Sequence, residues 1–392
     1  MAPARGQMWF RIAVLFLAGL GAAGQFGKIS VLFPAWAAAY PGAGASLGFL
    51  LSLISLMGVV LGLVAGLAVA RLGFRRMLVL GLAFGAVLSC IEALMPPLPV
   101  MMGLRVIEGL SHLVIVVAAP TLMAEIADDR ARPVSLAIWS TYFGVAFALY
   151  AVIGHALLAL GGLPAVLLTH AAWMAAFAVI VRVCLPEDRP FAGNASFAPL
   201  ALLKRHGAAY RSAFIATPGL GFGCYAATYM ATLTVMPAFF RADAREGLMT
   251  VLPMAGIVTS LTLGAYLLRR HPAVKVVVWG FGLSALGALC LALLPQIAWA
   301  PVLLFCVLGL VQGGSFASVP QINLDAEGRA LSNGVLAQMG NLGNFLGTPV
   351  LLAMTGAAGE SGFLVFALVL YGLGAAIHVV SARMRARGPV PA

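Results

Sequence analysis

Long apolar stretches, separated by short polar or Pro/Gly-containing breaks, follow one another along almost the whole chain. A helix needs about 20 apolar residues to cross the hydrocarbon core of a bilayer. The pattern therefore predicts an all-α membrane protein with twelve transmembrane helices. The predicted spans lie near residues 9–39, 46–70, 77–95, 99–125, 134–160, 164–184, 212–240, 248–268, 274–294, 302–322, 331–355 and 362–382.

Composition indicates the same class of protein. Of the 392 residues, 62% are hydrophobic and 9% are charged, whereas a soluble globular protein carries about 25% charged residues. So few charged groups exclude a water-soluble protein of this size. The five cysteines lie in apolar segments and form no Cys-x-x-Cys pair, so neither a disulfide framework nor a zinc site is indicated. No cofactor is expected.

The longest break divides the predicted spans into two sets of six. Residues 1–184 form an N-terminal six-helix bundle, 185–211 a central loop and 212–392 a C-terminal six-helix bundle. The halves also resemble each other, because Pro120-Thr-Leu-Met-Ala-Glu125 corresponds to Pro320-Gln-Ile-Asn-Leu-Asp325. A pseudo-two-fold repeat of six-helix units is typical of transporters whose halves rock to give alternating access.

Basic residues alternate between the loops. One side carries 19 of the Lys and Arg residues, whereas the other carries only Arg241 and Arg245. The positive-inside rule then places both termini and the central loop in the cytoplasm. We expect an integral protein of the cytoplasmic (inner) membrane that contacts the lipid bilayer and a small-molecule or ion substrate. No nucleic-acid partner is expected. The protein is expected to be a monomer.

A sequence motif follows span two. The segment Gly66-Leu-Ala-Val-Ala70-Arg71-Leu-Gly73-Phe-Arg75-Arg76 is similar to the signature G-x-x-x-D-R-x-G-R-R of the major facilitator superfamily, with Ala70 at the Asp position. The chain resembles this family over essentially its whole length. The resemblance implies two six-helix bundles, secondary transport and a cytoplasmic gate loop formed by Gly66, Arg71, Gly73, Arg75 and Arg76.

Three further features refine the resemblance. Arg105-Val-Ile-Glu-Gly109 resembles the fourth-helix R-x-x-x-G element, which the family links to proton coupling, and span five lacks the G-x-x-x-G-P pattern of drug/proton antiporters. Segments such as Gln338-Met-Gly-Asn-Leu-Gly are similar to a bacterial branch that contains copper importers and riboflavin importers.

Ionisable residues inside the predicted spans are the first candidate site. Arg105, Glu108 and His112 share one face of span four, because three and seven residues correspond to whole helical turns. Lys28 of span one, with Gln25 one turn away, lies at a depth similar to that of Glu108. These five residues predict either a substrate or proton-coupling cluster or a static buried ion pair, since each buried charge requires a partner.

Other charged or titratable residues look less informative. Glu92, near the end of span three, is expected at the membrane interface. His155, His170 and His378 are isolated in the sequence, so packing or interface positions are expected for them.

Polar faces on two further spans are candidate sites. Tyr225, Tyr229 and Thr232 continue to Met236 on one face of span seven, where aromatic rings could stack on a flat organic solute or simply pack. On span eleven Gln338, Asn341 and Asn344 face one side together with Asn333, either to bind a polar solute or to join helices.

The expected function is a secondary transporter that takes up a small solute, with proton coupling as one option. A planar organic solute of the riboflavin type is the preferred substrate. Copper is the alternative, with the sulfur residues Cys224, Met230 and Met236 as candidate ligands, because soft ligands select Cu(I). Efflux of a small organic compound, a non-transporting sensor and an intramembrane enzyme also stay open, although enzyme motifs are missing.

Overall fold

The computed structural model describes residues 5–43, 47, 49–188, 199–235, 242–294 and 299–387. These described residues are almost entirely helical and contain no strand. The helices of the first half are α1 (Arg5–Ser30), α2 (Phe33–Ala39), α3 (Phe49–Leu72), α4 (Phe74–Glu92), α5 (Leu98–Ile126), α6 (Arg132–Ser140), α7 (Tyr142–Leu149) and α8 (His155–Cys184). Those that follow are α9 (Pro199–Arg211), α10 (Ala216–Val235), α11 (Ala242–Thr259), α12 (Ala265–Arg270), α13 (Ala273–Leu293), α14 (Trp299–Ile322) and α15 (Ala326–Arg387).

Two of these helices contain a glycine break that divides them into separate spans. In α8 the break lies at Gly161 and Gly162, and Gly162 has φ 68°. In α15 it lies at Gly359, with φ 57°. A side chain with a Cβ rarely adopts positive φ, so glycine allows the chain to reverse here. The breaks fall in the predicted gaps between spans five and six and between spans eleven and twelve.

Other spans are less regular than their hydropathy predicts. Span one was expected to be continuous over 9–39, but it is interrupted between Ser30 and Phe33. Pro34 lies in the first turn of α2, where its missing N–H costs no hydrogen bond. Span five is also interrupted, at Thr141 and at a π-helical segment, Tyr150–Gly154, and span eight contains a second π-helical segment, Ser260–Gly264.

Length and composition are those of a membrane protein. Eight described helical stretches are long and apolar enough to cross a bilayer, and two of them, Tyr142–Cys184 and Ala326–Arg387, have 43 and 62 residues. A length of about 20 residues per span means that each of these two provides two spans. The 24-residue α3 and the 20-residue α10 are long enough as well. The described helices therefore account for all twelve predicted spans.

The chain forms two compact units. Unit 1 contains residues 1–128 and 142–195, and unit 2 contains residues 129–141 and 196–392. Helix α6 therefore belongs to unit 2, where Ala137 packs with Leu268, Val276 and Leu310. Its last residue, Ser140, accepts a hydrogen bond at its carbonyl from Gln312 of α14.

Candidate functional site

Four charged side chains meet in the interior of unit 1. Lys28 lies near the end of α1, Glu92 is the last residue of α4, and Arg105 and Glu108 lie one turn apart on α5. All four are 0% exposed. Two cations and two carboxylates are needed together here, because a buried charge without a partner costs several kcal/mol (about 3–5 when one partner is removed).

Lys28 is the centre of this charge cluster. Its Nζ donates to Glu108 Oε1 at 2.7 Å, to Ser89 Oγ at 3.1 Å and to Glu92 Oε2. The sequence placed Lys28 and Glu108 at similar depth, and they form an ion pair. One ammonium group thus forms ion pairs with two carboxylates from different helices, which joins α1, α4 and α5.

Arg105 fixes the other side of the cluster. Its guanidinium donates to Glu108 Oε2, to the Gln25 carbonyl at 2.7 Å and to the Leu50 carbonyl at 2.9 Å. The distance from Arg105 Nη1 to Glu92 Oε1 is longer, at 3.7 Å. A planar guanidinium with several fixed donors suits this role, because it can bind a carboxylate and two backbone carbonyls together.

A serine–histidine pair extends the cluster toward α8. Ser89 Oγ lies 2.7 Å from His170 Nδ1, and His170 Nε2 lies 2.9 Å from the Gly21 carbonyl. A carbonyl only accepts, so Nε2 carries the proton and Nδ1 accepts from the Ser89 hydroxyl. The lone pairs of Ser89 Oγ then face Lys28, which holds the ammonium in place.

The structure corrects one expectation about this region. Glu92 was expected at the membrane interface, which is wrong, because it is fully buried against Lys28. His170, for which a packing or interface position was expected, is buried and bonded at both nitrogens. The spacing of Ser89 and Glu92, three residues apart on α4, was the signal in the sequence that indicated a shared polar face.

The remaining predicted members of the cluster have local partners. Gln25 Nε2 donates to Ser111 Oγ at 3.0 Å, beside the charged groups. His112 Nδ1 lies 3.1 Å from the Ala22 carbonyl, and its ring packs edge-on against Phe26. Gln25 therefore borders the cluster, whereas His112 joins α5 to α1 one turn further along.

The predicted aromatic face of span seven packs inside unit 2. The rings of Tyr225 and Tyr229 have centroids 5.3 Å apart, and Tyr229 lies 5.2 Å from Phe305 of α14. Tyr225 and Thr232 are buried, at 3% and 1% exposure, while Tyr229 is half-buried. Tyr229 is thus the member of this set that is partly exposed, and Met236 lies outside the described residues.

The opposite face of α10 packs tightly on span eleven. A Cβ added to Gly343 would lie 2.5 Å from the Gly223 carbonyl oxygen and 2.7 Å from the Ala227 nitrogen. Gly223 and Ala227 lie two residues from Tyr225 and Tyr229, about 200° around the helix, so α10 has a glycine face and an aromatic face. Close backbone contact of this kind is how membrane helices associate through small residues.

The predicted carboxamides of span eleven have mixed surroundings. Gln338 Oε1 accepts from the Tyr210 hydroxyl at 2.7 Å, and burial raises the pKa of Tyr210 to about 12, so this hydroxyl stays a donor at neutral pH. Asn341 Nδ2 donates to the Ala337 carbonyl within its own helix, and both Gln338 and Asn341 are buried. Asn344 is half-buried.

The predicted gate loop connects α3 and α4 in unit 1. Asp188, which follows α8, accepts hydrogen bonds from the backbone N–H groups of Arg75 and Arg76 at 2.7 and 2.9 Å. Arg75 also donates to the Leu185 carbonyl at 3.0 Å. Gly73 has φ 99° and lies against the Asp188 carboxylate. Asp188, which sequence reasoning missed, thus caps α4 in a loop where the family's own Asp is replaced by Ala70.

The other gate-loop positions are less defined. Arg71 is exposed at the end of α3, as is Arg76 at the start of α4. Gly66 lies within α3. Of the sulfur candidates, Cys224 is buried and Met230 half-buried on α10. They are six positions apart on the helix, so they point about 120° apart.

The sequence is similar to a known protein family over most of its length. The family profile of the Major Facilitator Superfamily matches residues 14–348. The chain belongs to the major facilitator superfamily. It is therefore an integral membrane protein and a secondary transporter, and its relatives bind small molecules within the membrane rather than act as enzymes.

Solved structures of the family share the fold at low sequence identity. The human organic anion transporter MFSD10 (TETRAN) superimposes with a TM-score of 0.79 and 19% identity, covering 96% of this chain and 100% of that one. The E. coli fucose:proton symporter FucP gives a TM-score of 0.76 at 15% identity, covering 96% and 99%.

One curated relative matches over a shorter segment. The multidrug efflux pump LfrA of Mycolicibacterium smegmatis is 33% identical over 117 residues, which is 30% of this chain and 21% of the pump. The chain thus spans about a fifth of that protein's length in the match.

Proposed function

We propose that this protein is a proton-coupled importer of a small organic solute. The observation that carries the proposal is the fully buried cluster of Lys28, Glu92, Arg105 and Glu108. Its formal charge is zero when all four groups are ionised, and it becomes positive when one carboxylate takes up a proton. That change breaks ion pairs among three helices, which is a means of linking proton binding to helix movement.

The free-energy cost of burying four charges is the reason to assign the cluster a functional role. An ionised residue at the bilayer centre costs about 2.5–3.5 kcal/mol even on insertion scales, so membrane proteins keep such groups chiefly where ions or protons are handled. The similar fold of a fucose:proton symporter agrees with coupling to protons. Symport also fits the missing antiporter pattern in span five.

For the substrate we propose a planar, weakly charged organic molecule of the riboflavin type. Among the described residues of unit 2, the buried polar side chains include no Asp, Glu, Lys or Arg. The half-buried rings of Phe222 and Tyr229 border an aromatic row with Tyr225, Phe305 and Phe316. Partly exposed aromatic rings can stack on a flat solute.

Export is the second candidate, and copper transport has weaker support. The match to an efflux pump favours export of a small organic compound by the same fold. A copper site on α10 would require Met236, since Cys224 and Met230 lie on different sides of the helix. The described residues contain no group of three or more His, Cys, Asp or Glu that could hold a metal ion.

Transport in proteoliposomes tests these options. Purified protein is reconstituted, a pH gradient of either sign is imposed, and the uptake of labelled riboflavin and of Cu(I) is measured. Riboflavin accumulation toward the alkaline side supports proton symport, and accumulation toward the acidic side supports exchange as in export. Riboflavin flux that does not depend on the pH gradient contradicts proton coupling. Copper flux without riboflavin flux contradicts the proposed riboflavin-type substrate.

Orientation is also a proposal: we place both termini on the cytoplasmic side of an inner membrane, following the basic loops. The turn at Gly359 then faces outward. A cysteine at Ala358 in a cysteine-free background should react with an impermeant maleimide added to intact cells, because Ala358 is exposed. A cysteine at Ser212, at the other end of the spans, should react only after lysis, and the reverse pattern would overturn the orientation.

A further inference from the structure

The two carboxylates of the charge cluster have different surroundings. Both oxygens of Glu108 accept from a cation, Oε1 from Lys28 at 2.7 Å and Oε2 from Arg105. Glu92 has Lys28 on Oε2 only. Its Oε1 is buried and accepts no hydrogen bond from any described residue, and Arg105 Nη1 is 3.7 Å away. Glu92 is therefore the less stabilised anion.

Proton binding at either carboxylate would have different consequences. A proton on Glu108 would remove the hydrogen-bonded anion of Arg105, leaving a fully buried guanidinium with a single carboxylate at 3.7 Å. A proton on Glu92 Oε1 leaves Glu108 paired with both Arg105 and Lys28. A buried charge that loses its partner costs the most free energy. The proton therefore binds to the carboxylate whose loss of charge leaves the other charges paired.

The groups around Glu92 come from every packed element. They are Lys28 from α1, Arg105 and Glu108 from α5, His170 from α8, Tyr150 from the π-helical segment and Tyr40 after α2. Glu108 is the only other carboxylate in this set, and both carboxylates contact the same ammonium nitrogen. Repulsion between these two anions also favours a proton on one of them.

Ser89 and His170 keep Lys28 in position when Glu92 is neutral. His170 Nε2 donates to the Gly21 carbonyl, which leaves Nδ1 to accept the Ser89 hydroxyl proton. Ser89 Oγ in turn accepts from Lys28 at 3.1 Å. Lys28 thus retains Ser89 and Glu108 as partners after it loses the Glu92 anion.

We infer that Glu92 is the carboxyl group that binds and releases the coupling proton, that Glu108 stays ionised, and that Ser89 and His170 are positioning residues for Lys28. The step is a single proton transfer: a hydronium ion gives a proton to Glu92 Oε1 and leaves as a water molecule, while Lys28 and Arg105 keep their protons. This inference rests on the proposed proton coupling.

Infrared difference spectroscopy tests the inference without a substrate. The full-length protein in nanodiscs is titrated from neutral to acidic pH, and the C=O stretch of a buried protonated carboxyl is followed in wild type, Glu92→Gln, Glu108→Gln and Glu360→Gln. Glu360 is an exposed carboxylate and serves as the matched control. We expect the band in wild type and in Glu360→Gln, and its loss in Glu92→Gln.

Glu108→Gln should keep the band but move it to lower pH, because Glu92 then becomes the sole anion for two cations. A band that survives in Glu92→Gln and disappears in Glu108→Gln overturns the assignment. So does a wild-type protein that shows no such band over the pH range in which it stays folded. If Glu92→Gln does not fold, Glu92→Asp must shift the band frequency, and an unchanged frequency overturns the assignment.

Ser89→Ala tests the positioning role with all charges kept. Lys28 loses a neutral partner and binds the carboxylates more tightly, so the band should move to lower pH. Ser111→Ala is the matched control, because Ser111 is also buried but bonds to Gln25 and the Gly81 carbonyl instead of Lys28. Equal midpoints for wild type and Ser89→Ala would overturn the positioning role. A protein that binds the proton on Glu92 but shows no pH-driven flux contradicts the proposed function alone.

Discussion

Unit 1 and unit 2 have the same kind of helical scaffold but very different interiors. Unit 1 buries Lys28, Glu92, Arg105 and Glu108 together. The buried polar residues described in unit 2 are all Ser, Thr, Asn, Gln or His. Helix contacts in unit 1 around the cluster are electrostatic, whereas α10 and α15 in unit 2 meet through glycines such as Gly343.

The two interiors differ in how they can respond to a change in charge. A network of four charges responds to a single proton, because its net charge changes in a low-dielectric interior. A glycine contact has no titratable group and responds only to shape. Under the proposed function, unit 1 would bind the coupling proton and unit 2 would contact the weakly charged organic solute.

The largest expected effect comes from unbalancing the cluster. Glu108→Gln leaves two cations with one carboxylate and should destabilise the protein by about 3–5 kcal/mol. The double variant Lys28→Met/Glu108→Gln leaves Arg105 with Glu92, a balanced pair, and should recover part of that loss. Thermal unfolding in detergent measures both. Purely additive losses would mean that Lys28 and Glu108 are not coupled.

The matching test for unit 2 is steric. Gly343→Ala places a methyl group 2.5 Å from the Gly223 oxygen and must push α10 away from α15. Overpacking of this kind costs about 1–3 kcal/mol. Gly356→Ala, in the same helix with nothing within 4 Å, is the control and should change the unfolding temperature little. Similar stabilities for the two variants would contradict the glycine contact.

Riboflavin uptake tests the aromatic face. Tyr229→Phe keeps the ring and removes one hydrogen bond, which should cost about 0.5–1.5 kcal/mol, or up to roughly tenfold in affinity. Tyr229→Ala also removes the stacking surface and should cost more. Tyr225→Phe, at a position packed inside unit 2, is the comparison and should affect affinity less. Cu(I) uptake that Cys224→Ser abolishes and Tyr229→Ala preserves would contradict the planar-solute proposal.

The smallest expected effect compares helix starts in the two units. Asp188 accepts from two N–H groups of α4, while in unit 2 the first N–H of α13, at Ala273, donates to Gln321 at 2.7 Å. Loss of a side-chain cap costs about 0.5–2 kcal/mol. Asp188→Ala should therefore destabilise more than Gln321→Ala in thermal unfolding. Asp129→Ala, which removes an exposed carboxylate, is the control. An equal loss of stability in this variant would contradict a specific capping role for Asp188.

Hydropathy along the chain determined the membrane class, the span count and the main breaks. This works because each span must hide its own backbone polar groups from lipid, so its length and composition are read directly from local sequence. Gly162 and Gly359 lie in predicted gaps for the same reason, since the reversal there is a property of the local backbone. The interruption of span one before Pro34 is also local, but hydropathy did not predict it because the residues on both sides are apolar.

The interior of unit 1 was decided by tertiary structure. Lys28, Arg105 and Glu108 could be grouped from their spacing and depth, since two of them share one helix. Glu92 and His170 could not, because hydropathy does not tell whether the end of a span faces lipid headgroups or the charged side chain of another helix. The burial of Tyr225 and the Asp188 cap depend in the same way on which helices pack together, and only the folded chain brings those distant residues into contact.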